Sequence, residues 1–419
     1  MRPGVFAKDS FVSIFRSSLR IRLKPARVIA VAAVAAIATL AAGCSTGSTA
    51  ADSSTSSAAA SSGPASAAAG SSAASAGTSA ADSSAAAAAG PSTAADTLRL
   101  GYFPNVTHAA AVLGVKDGTF QDALGSTKLE TSTFNAGPAA IEALLSGAID
   151  ATFIGPSPAI NAFAKSNGDA LRIVAGATEN GAALVVKTDI NGPADLAGKT
   201  LATPQLGGTQ DVALRKYLLD NGLKTQTTGG SQGEADYVDI VSQENSQTLD
   251  LFKQGAIDGA WLPEPWASRL VIEAGAKTLV DEKTLWPDEK FQTTILISSR
   301  QFLADHPDTI NALIKGEVAE TEKIQADPAK AQTELNSAIA ELTGGKPLAD
   351  TTIQAAFGNI TPTWDPLAST LTQLAANGVT AGTLAAAPDL NGIYDLRELN
   401  KVLATAGKPP VTAAALGQE

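Results

Sequence analysis

The chain has 419 residues, with 30 Lys and Arg against 41 Asp and Glu, a net charge of −11. So acidic a balance excludes a nucleic-acid-binding surface and electrostatic adhesion to anionic lipid. Cys44 is the only cysteine and His108 and His306 the only histidines, so no intramolecular disulfide, metal cluster or nucleophile–base pair is expected, and no cofactor.

Seven Lys or Arg lie between Arg2 and Arg27, and Val28 to Ala42 is an uncharged run followed by Gly43-Cys44. The basic segment and an apolar run too short for a comfortable membrane span read as a secretory signal over residues 1–43. Its removal would leave 23 bases against 40 acids, a net charge of −17. The Leu40-Ala41-Ala42-Gly43 stretch before the lone cysteine resembles the bacterial lipobox, although Ala41 stands where a large aliphatic residue is usual. That resemblance implies cleavage before Cys44, lipidation of its thiol and a membrane anchor. Residues 44–95, almost wholly Ser, Ala, Gly and Thr, have nothing large enough to bury and read as a disordered tether with a reach of about 35 to 45 Å. An O-glycosylated stalk would serve the same role.

About 320 residues remain, more than one core usually supports, so two lobes are expected. Leu98 to Tyr102 reads as a short buried strand, Pro104 to Thr107 as a loop, and Ala109 to Val115 as a helix stopped at Asp117-Gly118. The order returns with a strand at Lys199 to Thr203, a loop at Pro204 to Gly208, and a helix at Thr209 to Leu219 stopped at Asn221-Gly222. Such alternation predicts parallel α/β lobes.

A closer repeat links the halves. Gly147-Ala148-Ile149-Asp150 is answered 108 residues later by Gly255-Ala256-Ile257-Asp258, each preceded by an amphipathic helix (Pro138 to Ser146, Ser246 to Gln254) and followed by a strand and a proline-rich turn. That offset is too long for a solenoid and points to two related lobes. From Arg300 onward the chain reads as largely helical, with Leu303, Ile310, Leu313 and Ile314 at core spacing and a helix start at Pro307-Asp308 beside a surface His306. The division expected is 96–184 with 298–419 as lobe 1 and 185–297 as lobe 2.

Five segments in this order carry a family likeness: Gly101-Tyr102-Phe103-Pro104, Phe134-Asn135-Ala136-Gly137-Pro138, Gly155-Pro156-Ser157-Pro158, Asp195-Leu196-Ala197-Gly198-Lys199 and Trp261-Leu262-Pro263-Glu264-Pro265-Trp266. Together they resemble the nitrate, sulfonate and taurine group of ABC-transporter solute-binding proteins, over about Leu98 to Leu403. The resemblance implies a two-lobed α/β periplasmic-binding-protein type II fold with a hinge and an inter-lobe cleft. It also implies an exported monomer that hands a small anion, an aliphatic sulfonate or taurine, to a permease and ATPase complex and is not an enzyme. Nitrate, bicarbonate or a thiamine pyrimidine precursor on the same fold, and a pyrimidine-synthase-like enzyme, are the alternatives.

Ligands of parallel sheets sit beyond the carboxyl ends of the strands. Four loops qualify here: Tyr102 to His108 (Tyr102, Phe103, Asn105, His108), Gly155 to Pro158 (Gly155, Ser157, Pro158), Gly207-Gly208-Thr209-Gln210, and Trp261 to Trp266 (Trp261, Glu264, Trp266). A helix N-terminus offers unpaired amides and about half a positive charge, which suits an anion. The blander roles are an N-cap for Thr209, core packing for Trp261 and Trp266, a helix-start role for His108, and for Glu264 a solvated turn or a partner for Arg269 instead of a ligand's cationic end.

Overall fold

The computed structural model describes residues 93–227 and 236–419. The expected signal, Cys44 and the tether up to residue 92 lie outside the described residues. Residues 93–95, assigned above to the tether, instead dock on the body. The Thr93 amide donates to Asp308 at 2.8 Å, and the Ala95 amide to the Thr309 hydroxyl at 2.8 Å.

In chain order the first part comprises β1 (Thr97–Tyr102), α1 (Ala109–Lys116), α2 (Thr119–Leu124), β2 (Lys128–Thr133), α3 (Gly137–Leu145), β3 (Ala151–Ile154), α4 (Pro156–Lys165) and β4 (Leu171–Asn180). The second comprises β5 (Ala182–Val186), β6 (Thr200–Thr203), α5 (Thr209–Asp220), β7 (Lys224–Thr227), β8 (Tyr237–Ser242), α6 (Asn245–Lys253), β9 (Gly259–Pro263), α7 (Trp266–Ala274) and β10 (Lys277–Asp281). The third comprises β11 (Gln292–Ser299), α8 (Arg300–Asp305), α9 (Pro307–Ala326), α10 (Pro328–Thr343), α11 (Asp350–Gly358), β12 (Ile360–Pro362), α12 (Leu371–Thr380), β13 (Tyr394–Asp395), α13 (Arg397–Thr405) and β14 (Gly417–Gln418).

Two sheets result, one from each lobe. The larger has the order β14-β13-β4-β11-β3-β1-β2, with β12 added on β4, and the smaller has β10-β5-β9-β6-β8-β7. Three parallel strands in the larger sheet (β3-β1-β2) and four in the smaller (β9-β6-β8-β7) are flanked by an antiparallel one, β11 on β3 and β5 on β9. The expectation of parallel lobes is therefore corrected to mixed sheets, because the strands that run to and from the other lobe enter antiparallel.

The chain changes sheets at Gly181 and again between Asp281 and Gln292, so the expected boundaries after residues 184 and 297 fall inside β5 and β11. Only Gly181 separates β4 from β5, so no proline or long loop marks the first break. Gly181, at φ 83°, makes that break in a left-handed conformation that glycine adopts freely.

The repeat has a physical basis. Gly147 (φ 72°) and Gly255 (φ 74°) end α3 and α6, each donating its amide to the carbonyl three residues back. The buried Ile149 and Ile257 follow. Then Asp150 accepts the Arg99 amide at 2.8 Å, and Asp258 accepts the Thr200 amide at 3.0 Å. Each aspartate thus pins its own strand to the neighbouring parallel strand of its sheet, β1 or β6. Neighbours along β5 and β9 go to opposite faces: Leu184 and Trp261 join the larger apolar cluster, while Val185 and Leu262 join a smaller one with Leu249 and Phe252.

Candidate functional site

Three helices begin at the seam between the sheets. α3 and α4 come from the first lobe and α5 from the second. Their N-cap residues are Ala136, Gly155 and Gly208, all with extended backbone and none with a side chain that caps the first turn. The first-turn amides of α3 and α5 therefore lack the usual side-chain acceptor, whereas in α4 Pro156 and Pro158 have no N–H and the Ser157 amide reaches the Thr209 hydroxyl.

The cavity at this seam is small, about 30 Å³. It is lined by Phe103, Asn105, Thr107 and His108 after β1, Asn135 to Gly137 before α3, Gly155 and Pro158 of α4, Pro204 and Gly208 to Gln210 before and in α5, Pro263, and Thr293 and Thr294 of β11. None of these is Asp, Glu, Lys or Arg, so its field comes from backbone dipoles, hydroxyls and amides. The Thr294 hydroxyl is buried without a hydrogen-bond partner, and so is that of Ser157 beside the cavity. Orphaned buried hydroxyls are uncommon in folded proteins and call for a partner.

His108 is buried, its ring 4.4 Å from that of Phe103, and its Nδ1 accepts the Phe103 amide at 3.4 Å. Burial pushes its pKa down to about 3, so the ring is neutral, with the remaining hydrogen on Nε2. Asn105 accepts the Trp266 indole N–H at 2.9 Å through Oδ1, which leaves its amide hydrogens as donors.

The lobes touch directly around the cavity. Asn135 donates to the Pro204 carbonyl at 3.4 Å, and the Ser157 amide to the Thr209 hydroxyl at 3.4 Å. A side chain at Gly155 would collide with that hydroxyl and stand 3.2 Å from Thr209 Cβ. Glycine there is what lets the second lobe come this close.

Of the residues singled out in the sequence, Phe103, Asn105, His108, Gly155, Pro158, Gly208, Thr209 and Gln210 meet in this cavity. Ser157 and Gly207 adjoin it without lining it. The other four lie elsewhere. Tyr102 is core, its hydroxyl against Thr131. Trp261 is wholly buried in the smaller sheet, its indole donating to Glu282 at 2.7 Å. Trp266 walls a separate outer cavity under Arg269, whose guanidinium lies 4.6 Å from the ring.

Glu264 faces neither ligand cavity nor solvent, and Arg269 pairs with Glu273 instead of with it. Its carboxylate accepts Asn359 at 2.7 Å and the Ser268 hydroxyl and amide at 2.9 and 3.1 Å, and its carbonyl accepts the Val106 amide at 3.1 Å. It is a strut on the hinge side. Burial raises its pKa, while the bonds from Asn359 and Ser268 pull the other way.

Sequence reasoning missed Asn135, Gly137, Thr293 and Thr294. Asn135 stands before α3 and Gly137 opens it, in the same strand–loop–helix arrangement as the loops that were chosen, so that rule could have found them. The threonines lie on the returning strand β11 and carry no local signal.

Residues 92–340 match the model of the NMT1-like family. The chain belongs to that family. Among curated relatives of this NMT1-like protein, the taurine-binding periplasmic protein of Escherichia coli (strain K12) is 27% identical over 213 residues, 51% of this chain and 62% of that protein. A putative binding protein of Brucella abortus (strain 2308) is 24% identical over 186 residues, 44% of this chain and 54% of the relative. The matches thus span less than two thirds of these relatives' lengths. Among solved structures, the alkanesulfonate-binding protein SsuA from Xanthomonas axonopodis pv. citri bound to MOPS aligns with TM-score 0.55 at 21% identity, covering 69% of this chain and 92% of that one. The periplasmic nitrate-binding protein NrtA from Synechocystis PCC 6803 aligns with TM-score 0.57 at 17% identity, covering 70% and 83%. The NMT1-like protein shares their two-lobed type II periplasmic-binding-protein fold, and the named relatives and neighbours are binding proteins, not enzymes.

Proposed function

We infer that this NMT1-like protein is the extracytoplasmic substrate-binding component of an ABC importer, and that it captures a small solute through an anionic head of the sulfonate kind, aliphatic sulfonate or taurine. The observation that carries the reading is the convergence of two uncapped helix N-termini, α3 from one lobe and α5 from the other, on one small cavity without a charged side chain, with an orphaned Thr294 hydroxyl in its wall. Fixed amides and hydroxyls can replace the hydration of a desolvated anion there, without a cation of their own. Closure on the solute is what a permease and ATPase complex would read. In this reading Cys44 carries the lipid anchor, worth about 0.8 kcal/mol per buried methylene, and residues up to 92 hold the body away from the membrane.

Thermal denaturation of the full chain with alkanesulfonates, taurine, nitrate, bicarbonate, phosphonates and aminopyrimidines tests the assignment. A true ligand at a hundredfold excess over Kd stabilises by about 2.7 kcal/mol. At least one sulfonate is expected to raise the midpoint. Flat curves across the sulfonates with a response to nitrate or an aminopyrimidine would reassign the solute.

A further inference from the structure

The wall of the small cavity holds no charged side chain, yet a buried ion pair stands behind it. Asp211, wholly buried, lies in the first turn of α5, directly after the cavity-lining Gln210, and Arg215, also buried, follows one helical turn later. The carboxylate braces the chain that enters α5. It accepts the Gly207 amide at 2.9 Å and the Thr203 hydroxyl at 3.4 Å, so the end of β6 and the turn before Gly208 are tied to one group. Arg215 Nε donates to both of its oxygens at 3.0 Å.

For an anion site that brace has an electrostatic drawback. A carboxylate in the first turn draws on the same positive helix end that would attract a bound anion, and it repels the anion as well. The guanidinium offsets it. Arg215 Nη1 reaches the Thr225 hydroxyl at 3.4 Å, but Nη2 is buried without a partner among the described residues. A buried donor left unmet is costly, so it is the charge of this side chain, more than its hydrogen bonds, that the position uses.

We propose that Arg215 is a positioning residue for the bound anion: by neutralising Asp211 it lets one carboxylate fix the entry of α5 without cancelling that helix's pull on the solute. The proposal rests on the reading of the small cavity as an anion site, and neither residue touches the solute.

Calorimetric titration of the full chain with ethanesulfonate tests it on three variants. Arg215→Met leaves the carboxylate uncompensated and should weaken binding about fivefold to tenfold, within the range of a charge at a helix end. Asp211→Asn keeps an oxygen for the Gly207 amide, leaves the guanidinium uncompensated and should tighten binding by about twofold or more. Asp211→Asn/Arg215→Met removes both charges together and should return to within about threefold of the unaltered protein. A purely structural role predicts weaker binding in all three, because each change loosens the same turn. No loss in Arg215→Met, no gain in Asp211→Asn, or a double variant that recovers nothing would overturn the proposal while leaving the anion site standing. The ligand-free melting midpoint shows which variants fold; if Arg215→Met does not, Asp211→Asn decides alone. No binding of ethanesulfonate by the unaltered protein would overturn the sulfonate reading and the proposal with it.

Discussion

His108 is the only titratable side chain in the wall of the inner cavity, and its neutrality shapes what the site can do. An imidazole held down to about pKa 3 by burial can donate through Nε2–H but offers no charge at working pH. Anion affinity is therefore expected to stay flat between pH 5 and 8 in calorimetric titrations. An affinity that climbs steadily as the pH falls from 8 to 6 would mean an imidazolium forms on binding. Gly155 acts through space instead of charge. Gly155→Ala places a methyl group against the Thr209 hydroxyl, and overpacking of this kind commonly costs about 1 to 3 kcal/mol. Since the clash exists only when the lobes meet, the cost should fall on closure. Ligand affinity should drop about tenfold or more, with little change in the melting midpoint of the ligand-free protein, and Gly155→Ala/Thr209→Ala should recover part of the loss. A lowered ligand-free midpoint with affinity intact would place the role of Gly155 in folding.

At the scale of elements, the duplicated Gly-Ala-Ile-Asp segment is the device that joins helix, turn and strand in each lobe. Asp150 is buried and accepts from the Arg99 amide and the half-exposed Arg99 guanidinium, so Asp150→Ala leaves the Arg99 amide without its acceptor, while the guanidinium can turn to water. A loss of about 1 to 3 kcal/mol is expected from urea unfolding; no loss would mean the adjacent ladder alone holds the register. This duplication, the strand–loop–helix order and the long helix from Pro307 were all legible in the sequence, because each is written in local spacing and turn residues. The cavity was legible where a loop runs directly into a helix N-terminus, as at Gly155 and Gly208. Thr293 and Thr294 were not, since only the antiparallel return of β11 brings them beside β3. The Trp261 to Trp266 segment misled for a related reason. It straddles the end of a buried strand and the hinge, so its residues divide among core, strut and outer wall, although they read as one aromatic loop.

For the whole molecule, buried ionisable groups set how stability follows pH. Glu282 sits in the second chain crossing between the lobes, wholly buried, and burial pushes its pKa up to about 7 against hydrogen bonds from Trp261 and Trp286. A carboxyl whose pKa is higher folded than unfolded holds its proton more tightly in the native state. Its contribution is complete below about pH 4.5 and is lost as the pH rises towards 7, up to about 3 kcal/mol. Glu264, also raised by burial, acts with the same sign, and the net charge of −11 adds self-repulsion at alkaline pH. His108 works the other way, because its folded pKa lies below the unfolded one and stability is lost as the pH falls from about 6.5 towards 3. Stability should therefore peak between about pH 5 and 6. Glu282→Gln keeps an acceptor for the Trp261 indole without a charge to bury. It should raise the urea midpoint at pH 8, by about 1 to 3 kcal/mol, and bring no advantage at pH 5. An equal advantage at both pH values would trace the gain to packing and remove Glu282 as the source of the alkaline decline.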